Sequence, residues 1–152
     1  MNVFVEFHRI VRHLEAEGIG YALIGGVAVA FYAEPRFTRD IDLLIRQVDL
    51  ERVSESHRQE GHFKSSSPWT LGGSNSTLHR FLKVVGSDEM IIDLLVAGDD
   101  RHEQIIASAI EAESEDAGVV RVADKADLIW LKRKRNSKQD QADIARLSDE
   151  ES

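Results

Sequence analysis

Residues 21–45 read YALIGGVAVAFYAEPRFTRDIDLLI, and this stretch decides the fold. Tyr21 to Ile24 is a short apolar run bounded by glycines, the signature of a buried strand. Gly25-Gly26 breaks it. Val27 to Ala33 then reads as a helix packed on most of its faces. It stops at Glu34-Pro35, because the residue before a proline is pushed out of helical backbone. Ile41 to Ile45 reads as a second strand. Asp40 and Asp42, two residues apart, share one of its faces with Cα atoms ~7 Å apart, while Ile41, Leu43 and Ile45 take the other.

Working outward, Val3, Phe4, Phe7, Ile10, Val11 and Leu14 fall at spacings of three and four and predict a first amphipathic helix ending near Gly18. Downstream, Leu50 to Glu60 is a polar-faced helix with Asp49 as its cap. Residues 61–77 are rich in Ser and Gly without a period and read as a long loop, in which Trp69 is a lid anchor or a packing plug. Leu78 to Val85 and Met90 to Val96 flank Gly86-Ser87-Asp88-Glu89 and predict a β-hairpin. A helix around Gln104 to Ala112, a short strand Val119 to Val122, and helices Asp124 to Arg135 and Lys138 to Leu147 follow. The acidic tail 148–152 reads as disordered. With no repeats and no linker, residues 1–152 are expected to form a single domain. The element order predicts an α/β (α+β) architecture, a mixed sheet of about five strands flanked by helices.

Composition narrows the function classes. The chain has 152 residues, 42% hydrophobic and 30% charged, which fits one ordinary globular core. It has no cysteine, so thiolate metal sites and cysteine nucleophiles are excluded, and a reducing, cytoplasmic setting is expected. A net charge of −8 argues against non-specific DNA binding. The longest uncharged stretch, Gly18 to Ala33, is shorter than the ~20 apolar residues a membrane helix needs, and glycines interrupt it. The N-terminus lacks a basic start followed by an apolar block, so neither a signal peptide nor membrane association is expected.

A third aspartate, Asp93, interrupts the apolar run MIIDLLV. A charge inside such a strand is costly unless paired or bound to a metal. If its strand neighbours that of Asp40 and Asp42, three carboxylates converge and call for a cation. Oxygen-only donors fit Mg²⁺ (or Mn²⁺). The alternative is three unrelated aspartates at strand ends. Gly25-Gly26 favours the first reading: a strand ending in two glycines and opening into a helix leaves backbone N–H groups where a phosphate can approach. A plain strand-to-helix turn remains the bland alternative.

The pattern Leu23-Ile24-Gly25-Gly26 … Arg36-x-Thr38-x-Asp40-Ile41-Asp42-Leu43 resembles the signature of the nucleotidyltransferase superfamily with a DNA-polymerase-β-type palm. It is most similar to a small bacterial branch that includes toxins of abortive-infection and toxin–antitoxin systems. Asp93 in IIDLLVAG matches the third acid of that family. Asp127 to Lys132 and Lys138 to Ile144 are similar to the branch's C-terminal helices, which carry a lysine and an aspartate of the cleft.

The resemblance implies transfer of an NMP from an NTP to an acceptor hydroxyl, with pyrophosphate leaving. It assigns Asp40, Asp42 and Asp93 as metal ligands and catalytic residues, with Asp93 drawing the acceptor's proton. Gly25, Gly26, Arg36, Thr38, Lys132 and Lys138 would bind the nucleotide. One departure is Gly26, which stands where the family usually has a serine and removes a hydroxyl contact to phosphate.

Other readings compete at several positions. Arg36 and Arg39 either contact phosphate or balance the aspartates, and Thr38 either binds or shapes the backbone. Lys132-Arg133-Lys134-Arg135 and Lys138 form a substrate-facing patch or a solvated helix end. Ser137 and Asp140 match a capping box, a structural role that needs no catalysis. The six histidines show no metal-binding spacing. Three functions remain: an Mg²⁺-dependent nucleotidyltransferase acting on an RNA end, a protein or a small molecule; a degenerate binding module of a toxin–antitoxin or regulatory pair, with an antitoxin or other protein partner; and a nucleic-acid binder using the basic helix.

Overall fold

The computed structural model describes residues 2–32, 40–70, 76–114, 118–135 and 137–149. Arg36, Thr38 and Arg39 lie outside them, as do residues 150–152 of the acidic tail. Helix α1 (Val3–Ala16) is capped by the Asn2 side chain, which accepts from the backbone N–H of Phe4 and Val5 at 3.0 and 3.2 Å. Its Phe7, Ile10, Val11 and Leu14 are buried, as the sequence spacing requires. Strand β1 (Tyr21–Ile24) leads directly into a short helix α2 (Gly25–Val29), and β2 (Asp40–Ile45) follows. The helix begins at Gly25 rather than Val27, because a left-handed φ of +74° at Gly25 turns the chain as soon as the strand ends.

After β2 come a 3-10 turn at Gln47–Asp49 and α3 (Leu50–Gln59). Asp49 makes no side-chain capping bond; its carboxylate is paired with Arg52 instead. The stretch expected as a loop contributes two short strands, β3 (Phe63–Lys64) and β4 (Trp69–Thr70), both pairing antiparallel with β5 (Thr77–Val85). Strand β6 (Asp88–Val96) closes a hairpin whose turn is only Gly86-Ser87. Helix α4 (Asp100–Ala107), strands β7 (Ile110–Ser114) and β8 (Gly118–Val122), and helices α5 (Lys125–Arg135) and α6 (Lys138–Asp149) complete the chain. Strand β7 was not expected, since its alternating Glu-Ala-Glu face is that of an edge strand at the sheet margin.

The eight strands form one mixed sheet in the order β3-β5-β6-β2-β1-β8-β7, with β4 attached to β5. This is the expected mixed sheet flanked by helices, with more strands than five. Burial settles which face is which. Ile41, Leu43 and Ile45 are fully buried, each worth roughly 1.5–3 kcal/mol of transfer free energy. On that same side of the sheet Phe81 meets His57 of α3 at 4.9 Å between ring centres, and Lys83 reaches Glu6 of α1 at 2.7 Å. Helices α1 and α3 thus cover one face. The other face, bearing Asp42 and Asp93, is roofed by α4, α5 and α6. Among the described residues, no helix is long and apolar enough to cross a membrane.

Candidate functional site

Between the sheet and its helical roof lies a cavity of about 550 Å³. Asp42 and Asp93 form its floor. Strands β2 and β6 run parallel as neighbours, and the register pairs Asp42 directly with Asp93. Adjacent strands lie about 4.8 Å apart, so both carboxylates project from the same face into the same space. Two such charges at about 4 Å repel by about 4 kcal/mol at an effective dielectric of 20. Asp42 shows the consequence: burial first, then the facing Asp93, push its carboxyl up to about 7. Asp40 adds repulsion, while Arg135 and Lys132 pull the other way.

Asp40 sits one pleat before Asp42, in register with Ile91 and off the cavity lining, but is electrostatically coupled to Asp42. Among the described residues, no three histidine, aspartate or glutamate side chains gather closely enough to enclose a metal ion. The donor chemistry nevertheless fits a hard divalent cation. The site offers carboxylate oxygens only, and Asp42 carries more negative charge around it than its protein neighbours offset.

Gly25 lines the cavity, and its missing side chain has a specific reason. A Cβ there would fall 2.1 Å from Oδ2 of Asp42. The glycine makes room first of all for the carboxylate, and only then for any phosphate above it. Gly26 is buried inside α2, behind this rim.

The roof supplies positive charge. Lys132 and Arg135, three apart on α5, face the aspartates. Lys132 is 4% exposed and lies 3.1 Å from Asp143 and 3.7 Å from Asp140, both in α6. Its Nζ makes these ion pairs without an aligned hydrogen bond. Arg135 grips Asp140 with two charge-assisted hydrogen bonds of 2.7 and 2.6 Å. Asp140 also accepts from the Ser137 hydroxyl at 2.7 Å, while its own N–H donates to that hydroxyl, so the capping box read from the sequence is present. Burial alone would raise the Asp140 carboxyl; Arg135 and Ser137 outweigh it and hold it down at about 2. Lys138 is exposed at the start of α6 and does not line the cavity.

The cavity is also lined by the apolar side chains of Leu78, Leu95, Leu128, Trp130 and Leu131. Trp130 is flanked by the Arg101 guanidinium and the Lys134 ammonium at 5.1 and 5.0 Å. His102 meets its edge at 5.7 Å, and the Gly98 N–H donates to His102 Nδ1 at 3.3 Å. Burial lowers the His102 pKa, keeping the ring neutral.

One residue that sequence reasoning missed stands beside the floor. Arg80 of β5 is in register with Asp93 and donates to both its oxygens, Nε to Oδ1 at 2.8 Å and Nη2 to Oδ2 at 2.9 Å. The Trp69 ring covers this guanidinium at 5.4 Å. Those hydrogen bonds raise the Arg80 pKa further.

Comparison with known proteins gives a family and a fold. A family model described as "Nucleotidyl transferase of unknown function (DUF2204)" matches residues 3–151. No curated protein matches the chain. Among solved structures, the lincomycin-bound lincosamide antibiotic adenylyltransferase LnuA superposes with a TM-score of 0.64 at 15% identity, covering 94% of each chain. ANT(2")-Ia in complex with adenylyl-2"-tobramycin gives 0.57 at 15% identity, over 95% of this chain and 87% of that one. TM1012 from Thermotoga maritima gives 0.61 at 12% identity, over 94% and 89%. At these identities the likeness is one of fold.

Proposed function

Because this chain belongs to the nucleotidyl transferase family whose model spans it, we propose that it moves an NMP from an NTP to a hydroxyl-bearing acceptor in the cavity between the sheet and α5–α6. The observation that carries this reading is the pairing of Asp42 with Asp93 beneath Lys132 and Arg135. An acidic floor facing Lys132 and Arg135, which Asp140 and Asp143 hold in place, is an arrangement that suits a metal-bound triphosphate.

Asp40 and Asp42 would hold Mg²⁺ or Mn²⁺, which neutralises charge on the triphosphate when bound. The acceptor oxygen forms a bond to the α-phosphorus, the bond to the bridging oxygen breaks, and pyrophosphate leaves. Asp93 would take the acceptor's proton through the lone pairs that its hydrogen bonds leave open. Lys132 and Arg135 would orient the phosphates. Gly25 lines the cavity beside Asp42 and would leave room for the phosphates, and Arg36 and Thr38, which lie outside the described residues, would bind the nucleotide. The Trp130 ring and the leucines that line the cavity would receive a flat or apolar group, either the nucleobase or part of a small acceptor. The antibiotic substrates named for LnuA and ANT(2")-Ia make a small hydroxylated molecule the first acceptor class to test.

A second reading, a binding module that has lost turnover and acts with an antitoxin or other protein partner, draws support from Gly26 in place of a serine. Incubation with labelled NTPs and Mg²⁺ in lysate separates the two, since a pure binder leaves no labelled product. Asp42→Asn is expected to abolish metal-dependent NTP binding while the protein stays folded. Unchanged binding would refute the transferase reading.

A further inference from the structure

Asp93 is 5% exposed, and both of its oxygens accept hydrogen bonds from Arg80 at 2.8 and 2.9 Å. Fork-to-carboxylate pairing of this kind is the strongest and most directional contact a carboxylate makes with a side chain. The pairing is braced by its neighbours in the sheet. Arg80 lies directly across β5–β6 from Asp93, and the Trp69 ring of β4 packs over its guanidinium. Asp42, the other neighbour of Asp93, has no such fork among the described residues and feels Arg135 and Lys132 of α5 electrostatically. The two in-register aspartates are therefore unequal. One already has its countercharge, supplied by the protein.

Resting on the transferase reading above, we propose that Arg80 is a positioning residue that occupies the place of a second metal: it holds Asp93 by both oxygens, so the site takes one divalent cation, at Asp40 and Asp42. A second ion drawn to Asp93 would sit beside a fixed guanidinium, and like charges in a partly enclosed site repel strongly. Asp93 keeps one open lone pair on each oxygen, enough to receive a proton but in a direction set by the Arg80 fork. Residues 63–70, which the sequence suggests as a mere loop, thereby gain a function: β4 carries the ring that keeps the fork in place.

The test counts ions. Mn²⁺ bound to the protein in the presence of a non-hydrolysable ATP analogue is counted by electron paramagnetic resonance, with the analogue alone as reference. The wild type is expected to hold one ion per complex and Arg80→Gln two. Two ions in the wild type, or one in a folded Arg80→Gln, would overturn the proposal. Asp93→Asn guards against a misfolded Arg80 variant. It is expected to leave the count at one and the Mn²⁺ affinity within twofold, whereas a tenfold weakening would make Asp93 a ligand and refute the inference. No Mn²⁺ bound by the wild-type complex would instead bring down the transferase reading itself.

Discussion

Gly25 and Asp42 are fitted to one another: a methyl group on the glycine would lie 2.1 Å from the aspartate's Oδ2, at a backbone φ of +74°. Two independent requirements, positive φ and empty space, fall on one residue. The antiparallel register of β1 and β2 sets both, because Ile24 pairs with Asp42 and leaves the next residue turning over the carboxylate.

Gly25→Ala is therefore expected to cost more than backbone strain. Gly86 gives the control, since it has φ +63° and nothing within 4 Å of a built Cβ. Gly86→Ala should cost about 1–2 kcal/mol in urea unfolding. Gly25→Ala should cost a further ~1–3 kcal/mol from the clash and lose nucleotide binding. Equal losses in the two variants would show that Asp42 moves aside freely.

Asp42 links stability to pH in metal-free protein. Its carboxyl titrates near 3.8 when unfolded and near 7 when folded, so the native state holds the extra proton between those values. Stability should therefore fall as pH rises from about 4 to about 7. In EDTA at pH 8, Asp42→Asn is expected to be more stable than wild type by roughly 2–4 kcal/mol. Identical urea midpoints for the two proteins across that range would contradict the electrostatic account.

His57 works in the opposite sense. It is fully buried against Phe81, its Nδ1–H donates to the Val53 carbonyl at 2.9 Å, and its Nε2 has no hydrogen-bond partner among the described residues. Burial, with help from neighbouring His62, lowers it from 6.5 to about 3. The unfolded chain then binds the extra proton, so stability is complete above about pH 6.5 and drains as pH falls toward 3. Roughly 3 kcal/mol should be lost between pH 6.5 and pH 4. His57→Leu should flatten that part of the profile; an unchanged acid limb would sink the assignment.

Lys132 holds two buried carboxylates, Asp140 and Asp143, both with side chains fully inaccessible. Lys132→Met should cost about 3 kcal/mol, because it takes one cation away from two buried carboxylates. Adding Asp143→Asn should recover most of that loss. In the recovered double variant, NTP affinity is expected to stay at least ~10-fold weaker, about 1.4 kcal/mol, if the ammonium also meets phosphate. Full recovery of affinity would confine Lys132 to a structural role.

The hairpin shows why the site was only partly legible. Read with a four-residue turn, residues 86–89, the two strands place Leu82 rather than Arg80 opposite Asp93. The structure turns on Gly86-Ser87 alone, so Val85 pairs with Asp88 and Arg80 meets Asp93. An arginine in one strand and an aspartate inside the apolar run of the next were the available signal, and the turn length decided whether they met. Of the glycine pair, Gly25 lines the cavity and its bare α-carbon admits a carboxylate, while Gly26 is buried inside α2.

Local periodicity alone determined that a strand ends in two glycines, that Asp40 and Asp42 share the face opposite Ile41, Leu43 and Ile45, and that Asp93 interrupts a buried strand. Side-chain alternation is a property of neighbouring residues, so it can be read from the chain. Only the tertiary structure decided that β2 and β6 are parallel neighbours with Asp42 opposite Asp93, that Arg80 forks that carboxylate, and that α5 and α6 bring Lys132 and Arg135 over both. Strand order and register arise from packing the whole apolar core at once, and no local pattern encodes that sum.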